Sequence, residues 1–264
     1  MFGFKRRRRQ RIHAEAIPLA WVDAIERHVA HWRGLDEDQR TELLRIVQVL
    51  LAEKEFVGAG GLELTEPMAA VIAAQAAVLL LGRDHDYYPR LRSVVVYPRG
   101  YTATVQREGL TGLAQEVDER RLGESWHAGT VVLAWSSVVD GAADDDDGHN
   151  VVFHEFAHQL DSENPRSDGA PVLRGRGAYG TWAQHMGDAY RTLLDELERY
   201  GASMLGDYAA TNAAEFFAVV TEFFFERPGA LRHKHPELYA LLVEFYGQDP
   251  ADREPAVPEP PPPG

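Results

Sequence analysis

Val151-Val152-Phe153-His154-Glu155-Phe156-Ala157-His158-Gln159-Leu160-Asp161 is the stretch on which the reading of this chain turns. Val152, Phe153, Phe156 and Leu160 recur at helical spacing and share one stripe, while His154, His158 and Asp161 gather on the other side. Histidines four apart stack on one face of a helix, so both imidazoles can reach a single cation. Glu155 lies at the edge of that face, where it can touch water beside the metal without being a ligand. A helix entered through three large apolar residues is packed into the body of the protein, and a charged glutamate there needs a purpose. A surface helix with two solvated histidines is the plainer alternative, and the apolar entry argues against it. Asn150, just upstream, has the side chain of a helix N-cap.

Metal chemistry in this chain has few donor types to draw on. The 264 residues contain no cysteine, which removes disulfides, thiolate zinc sites and cysteine nucleophiles together and leaves His and carboxylate as the strong ligands. A 45% apolar share is enough to bury a real core. Net charge is −14, yet Lys5, Arg6, Arg7, Arg8, Arg9 and Arg11 crowd the first dozen residues, so the rest of the chain carries −20. An acidic body of that kind argues against a general nucleic-acid binder. The basic start is not followed by an apolar run of signal-peptide length, and no stretch is long enough to span a bilayer; a cytoplasmic chain with a solvated, mobile terminus is expected.

Outward from the motif, Leu19 to Leu81 reads as helices. Trp21, Ile25, His28 and Val29 share one face, and Leu43, Leu44, Val47, Leu50 and Leu51 another. Phe56 to Leu64, with Gly58, Gly60 and Gly61, interrupts the pattern, and Ala69 to Leu81 is a nearly all-apolar helix of core length. Ser93 to Tyr97, Tyr101 to Gln106 and Val131 to Val139 read as strands. Asp140 to Gly148 reads as a solvated acidic loop, since its four consecutive Asp lack the ligand spacing of a calcium loop. A Gly- and Arg-containing loop (Asp168 to Gly180) leads to an amphipathic helix from Trp182 to about Tyr200 and another from about Ala213 to Glu226. The proline-dominated end, Pro255 to Gly264, reads as a disordered tail.

A catalytic zinc commonly keeps three protein ligands and one water. No histidine lies between Gln159 and Arg174, and His185 sits inside an amphipathic helix, so a third histidine soon after the motif is excluded. A carboxylate from a downstream helix is expected instead. Glu215, Glu222 and Glu226 share a face of Asn212 to Glu226. Glu215 could equally complete a capping box with Asn212, and the other two could be a solvated like-charged pair. Set near the start of a helix rich in phenylalanine, Glu215 is the better placed, with Glu222 the runner-up.

Gly148 to Asp161, Tyr208-Ala209-Ala210, Ala214-Glu215-Phe216-Phe217-Ala218-Val219 and the basic Met1-Phe2 start together resemble the Mlc titration factor A family of bacterial zinc peptidases, relatives of the anthrax lethal factor catalytic domain. The resemblance implies Zn2+ held by His154, His158 and Glu215, Glu155 as general base and Tyr208 as an active-site tyrosine. It also implies an aminopeptidase-like activity on peptide substrates and binding of the glucose-system repressor Mlc. In that scheme Tyr208 donates to the oxyanion, Asp161 orients His158 or His154 through an imidazole N–H, and the Val131 to Val139 strand is available to an extended substrate. The expected fold is α+β and zincin-like, mostly helical with a small mixed sheet around the HExxH helix. Its expected parts are a basic flexible N-terminus (1–15), a helical region (16–92), a zincin-like catalytic region (93–248) and a disordered tail (249–264). The rival is a regulatory binding protein whose zinc is structural and which sequesters a repressor.

Overall fold

The computed structural model describes residues 2–108, 114–121, 123–126, 129–144 and 146–253. In chain order its elements are helices α1 (Phe2–Ile12), α2 (Leu19–His28) and α3 (Glu37–Glu53), strand β1 (Glu55–Gly58), helix α4 (Glu66–Val78), strands β2 (Ser93–Tyr97), β3 (Tyr101–Glu108), β4 (Ala114–Arg121), β5 (Gly123–Trp126) and β6 (Thr130–Ala134), then helices α5 (Trp135–Ala143), α6 (Val151–Ser162), α7 (Ala178–Tyr200), α8 (Ala213–Glu226), α9 (Pro228–Lys234) and α10 (Pro236–Tyr246). One sheet has the order β1-β2-β6-β5, with the first three strands parallel and β5 antiparallel to β6; β3 and β4 form a separate antiparallel ribbon. A mostly helical α+β architecture with a small sheet is therefore what this sequence builds.

Helix α4 is the hub of the packing. Every residue from Ala69 to Val78 is buried, so a helix apolar on all sides is enclosed by α2, α3 and α6. Thr65 caps its start by accepting from the Met68 N–H. Helix α6 in turn lies against β5, β6, α4, α5 and α8. Its apolar stripe is fully seated: Val152, Phe153, Phe156 and Leu160 are all buried. Phe153 meets the Phe225 ring and Phe156 the edge of Tyr88, at 5.3 and 4.9 Å between centroids. Burying a Phe side chain of this kind contributes about 1.5–3 kcal/mol, so α6 is held rigidly from below while its histidines face the other way.

Tyr88 is itself fixed with care. Tyr87 and Tyr88 both adopt positive φ, at 56° and 51°, which strains bulky side chains. The turn is over-determined by Tyr88 Oη donating to Ala76 O at 2.6 Å and by Lys54 Nζ donating to the Tyr88 and Leu91 carbonyls at 2.6 and 2.9 Å. Burial pushes the Lys54 ammonium down to about 8.

Several sequence expectations change here. Phe56 to Leu64 does interrupt the helices, between α3 and α4, and beyond that expectation its first residues belong to β1, which pairs parallel with β2 and so joins the region 16–92 to the sheet. Gly58 is required there, because a Cβ would lie 2.1 Å from Leu62 O. Val131 to Val139 is not one strand: β6 ends at Ala134 and Trp135 begins α5. A continuous apolar run does not distinguish a buried strand from a buried helix, and this one contains both. Since β6 lies between β2 and β5, its backbone is already paired on both sides and is not free to receive a substrate strand. The acidic loop starts later than expected, because Asp140 to Ala143 completes α5. The basic start, expected to be flexible, includes α1, and Arg9 grips Glu53 through two hydrogen bonds and pairs with Asp86. Helices α9 and α10 follow each other after α8, each with a proline in its first turn. Of the tail expected over 249–264, the first residues are ordered, with a 3-10 turn (Pro250–Asp252) that buries Pro250 and Ala251, and 254–264 lie outside the described residues. Among the described residues no helix is long and apolar enough to cross a membrane.

Candidate metal centre

Helix α6 starts where Asn150 dictates. Its Oδ1 accepts from the Val152 and Phe153 N–H groups at 3.1 and 3.0 Å, satisfying two of the donors that a helix start leaves open. The same side chain donates to Gly141 O and to Glu226 Oε1, at 3.0 and 3.1 Å, which ties α6 to both α5 and α8. Asn150→Ala is therefore expected to cost about 2–3 kcal/mol, the lost cap plus buried groups left without partners. Urea denaturation of the two proteins would measure it, and a loss below 1 kcal/mol (on the scale of a bare cap) would contradict this account.

One turn into the helix, His154 and His158 present their rings to each other edge-on, 4.9 Å between centroids. Glu215 arrives from the first turn of α8, whose N-cap Asn212 accepts from the Ala214 and Glu215 N–H groups. The cap is complete without the Glu215 side chain, so the capping-box alternative is not used. Its Oε2 lies 3.0 Å from His154 Nε2 and 3.3 Å from His158 Nε2. One donor atom from each of these three side chains falls within 4.8 Å of the others.

The electrostatics of the trio call for positive charge. Burial opposes a charge on His154, yet its hydrogen bonds to Glu215 and Glu222 hold its pKa well above the usual imidazole value. Burial likewise opposes the Glu215 carboxylate, and the two imidazoles overcome it and hold its pKa well below the usual range. Two nitrogens and a carboxylate oxygen converging in this way, with no thiolate anywhere in the chain, are a donor set that fits a divalent metal of the zinc type.

The other carboxylates of α8 stand behind the trio. Glu222 Oε1 lies 2.7 Å from His154 Nδ1, so it occupies the ring nitrogen opposite the one facing Glu215. Its Oε2 accepts from the Asn150 N–H at 2.7 Å. Glu226, one turn further on, accepts from the Asn150 side chain and lies 3.7 Å from His31 Nε2. The sequence offers Glu222 as a ligand or as half of a solvated pair with Glu226; both glutamates are buried, and the orienting position behind His154 is neither of these. The signal was present: Glu215 and Glu222 are seven residues apart on one face, roughly 10 Å along the axis, a span that lets one imidazole bridge the two.

The remaining sequence-derived residues fall near the trio in different ways. Glu155 is buried, 5% exposed, on the motif helix. Tyr208 stands in a single 3-10 turn (Tyr208–Ala210), its ring 5.8 Å from that of His154, and at 56% exposure it is open to solvent. That turn is anchored by buried Ala209 and by Tyr190 Oη donating to Ala210 O at 2.7 Å. Asp161 is buried rather than solvated, and burial raises its pKa. Its Oδ2 accepts from the Gly169 N–H at 3.0 Å, and it feels the charge of His158. Gly169 has φ 78°, and a Cβ there would lie 2.3 Å from Ala213 O, so this loop must carry glycine to seat against the start of α8.

A chain from Synechocystis, described as an uncharacterized protein, is 36% identical over 244 residues, covering 92% of this chain and 89% of its own length. The Mlc titration factor A of Cronobacter sakazakii is 32% identical over 242 residues, covering 90% and 89%. The Escherichia coli protein of that name is 30% identical over 244 residues, covering 91% and 89%. The family model for the glucose-regulated metallo-peptidase M90 matches residues 4–247, a span that takes in the two histidines of α6, the glutamate of α8 and everything that braces them, and the chain belongs to that family.

Proposed function

We propose that this protein is a zinc peptidase, aminopeptidase-like, binding one Zn2+ per chain through His154, His158 and Glu215. The observation that carries the reading is the convergence of those three donors beside a buried glutamate, in a site still open to solvent on the Tyr208 side. Structural zinc sites are closed by four protein ligands, whereas three donors leave a position for water or substrate. When bound, the metal supplies a positive charge that acidifies water and polarises a carbonyl.

The chain's own residues do the rest. Glu155 takes the proton of the attacking water and returns it to the leaving amine. Tyr208, on its anchored turn, donates a hydrogen bond to the oxyanion of the tetrahedral intermediate. Glu222 keeps the His154 ring oriented from its far nitrogen, and Asp161 holds the loop that follows α6. The peptide itself is expected to run along β5, an edge strand packed against α6 whose outer side is not paired within this sheet.

A second reading is favoured by the name of the relatives, Mlc titration factor A. A repressor of the Mlc type is the proposed partner, met in the cytoplasm, and sequestering it requires no chemistry at the metal. The two roles are separable by one experiment. Purified protein should contain about one zinc per chain, hydrolyse short peptides, lose hydrolysis on chelation and regain it with Zn2+. Zinc-loaded protein inert on all short peptides but still binding the repressor would leave the sequestering role alone standing.

A further inference from the structure

Arg83 makes no close ion pair among the described residues, and a carboxylate that feels its charge is that of Glu163. It lies over the Phe245 ring, 4.2 Å from guanidinium carbon to centroid, and its Nε and Nη1 are buried with no hydrogen-bond partner among the described residues. A half-buried cation held by an aromatic face, with a carboxylate only at longer range, still has N–H groups for a ligand to meet. Arg83 forms one wall of a cavity of about 490 Å3, to which the loop before α7 contributes Arg174 and Arg176. None of the metal donors lines this cavity.

The loop is the Gly- and Arg-containing segment that the metal site leaves unexplained. Gly175 and Gly177 adopt φ of 103° and 85°, with nothing within 4 Å of where a Cβ would stand. Glycine is thus needed for the path of the backbone and not for lack of room. Gly177 is also the N-cap of α7; it offers no side-chain cap, and the first turn of this 23-residue helix carries no acid. The positive end of the helix therefore adds to the arginines at the same wall. Asp84 and Arg174 engage each other, which leaves Arg83 and Arg176 against Glu244 in the cavity lining. In a chain with net charge −14, a cavity lined by three arginines against two acids, beside an uncapped helix start, runs against the prevailing sign.

We propose that this cavity binds a small organic oxyanion, a phosphate or carboxylate carried on an apolar body. The arginines and the start of α7 would meet the charge, since guanidinium forks match such oxyanions. Phe245, Trp182 and Leu241 provide the apolar lining for the body. The pocket is larger and more apolar than inorganic phosphate alone would need.

The test is calorimetric titration of the zinc-loaded full chain with phenyl phosphate and, separately, benzoate at low salt. Saturable binding with a Kd below about 1 mM is expected for at least one probe, and the tighter of the two identifies the source of the oxyanion. Arg83→Met, which keeps the stem against Phe245, and Arg176→Gln, in the exposed loop, should each weaken binding about tenfold or more, as loss of one charge-assisted contact predicts. Zinc content should not change in either variant. Arg176→Gln stands alone as the test if Arg83→Met does not fold. No saturable binding of either probe overturns the proposal, and so does binding undiminished by the substitutions, the result expected of an anion resting on the metal site.

Discussion

Glu155→Gln should leave the protein folded and zinc-loaded while peptide hydrolysis falls about 10^4-fold, the upper range for loss of a general base. The substitution is nearly isosteric at a buried position of α6, and Glu155 is not among the converging donors, so metal content gives an independent control. An amide neither accepts the proton of the attacking water nor hands it to the leaving amine. Tyr208→Phe should cost less, about 10^2-fold in kcat with KM little changed, because one oxyanion donor is lost and the base remains. Its 56% exposure argues against a folding defect as the cause of any loss. Peptide kinetics with metal analysis on the same samples would check both. Full activity in zinc-loaded Glu155→Gln protein would sink the mechanism, and repressor binding unchanged in both variants would show that the two proposed roles use different surfaces.

The motif helix was legible in the sequence because three signals coincide at one place. The apolar stripe of Val152, Phe153, Phe156 and Leu160, the i, i+4 histidines and the Asn150 cap all demand the same element, and α6 spans Val151–Ser162 as they require. Helix α8 was legible for the same reason, with Asn212 at its cap and a run of phenylalanines. The sheet was harder. β1 is only four residues long and half-exposed in alternation, so its membership is decided by pairing with β2 and not by its own composition. Trp135 to Ala143 carries a strand-like apolar start and yet folds as helix, since tertiary burial of Val138 serves either conformation.

At the site, residue types and spacing pointed to which side chains meet but not to how each is held. Position 222 differs from position 215 in what lies behind it, and that depends on where α6 crosses α8. Only the packed pair reveals that one imidazole separates the two carboxylates, or that Asn150 gathers both Glu222 and Glu226 at the root of α6. Asp161 shows the converse: its place on the ligand face of the helical wheel says nothing of the loop whose Gly169 N–H it accepts.

Glu215→Gln and Glu222→Gln should therefore fail differently. Glu215 would supply a ligand oxygen, and an amide oxygen is a poor substitute, so zinc affinity is expected to fall at least ~100-fold, the metal-free protein also losing whatever stability the Glu215 carboxylate gains from the two imidazoles. Glu222 touches no metal in this scheme. Its two oxygens serve His154 Nδ1 and the Asn150 N–H, and an amide can accept with only one of its two ends. The other end would set a donor against a donor at the buried start of α6, a loss of about 1–3 kcal/mol in stability. Zinc affinity should drop by only ~10-fold, as expected when a partner that orients a ligand is weakened. Competition with a chromophoric chelator separates the two affinities, and urea denaturation of the metal-free proteins separates the two stabilities. If Glu222→Gln strips the metal while Glu215→Gln keeps it, the assignment of ligand and support is reversed, and the zinc would have to sit on the Nδ1 side of His154, away from His158.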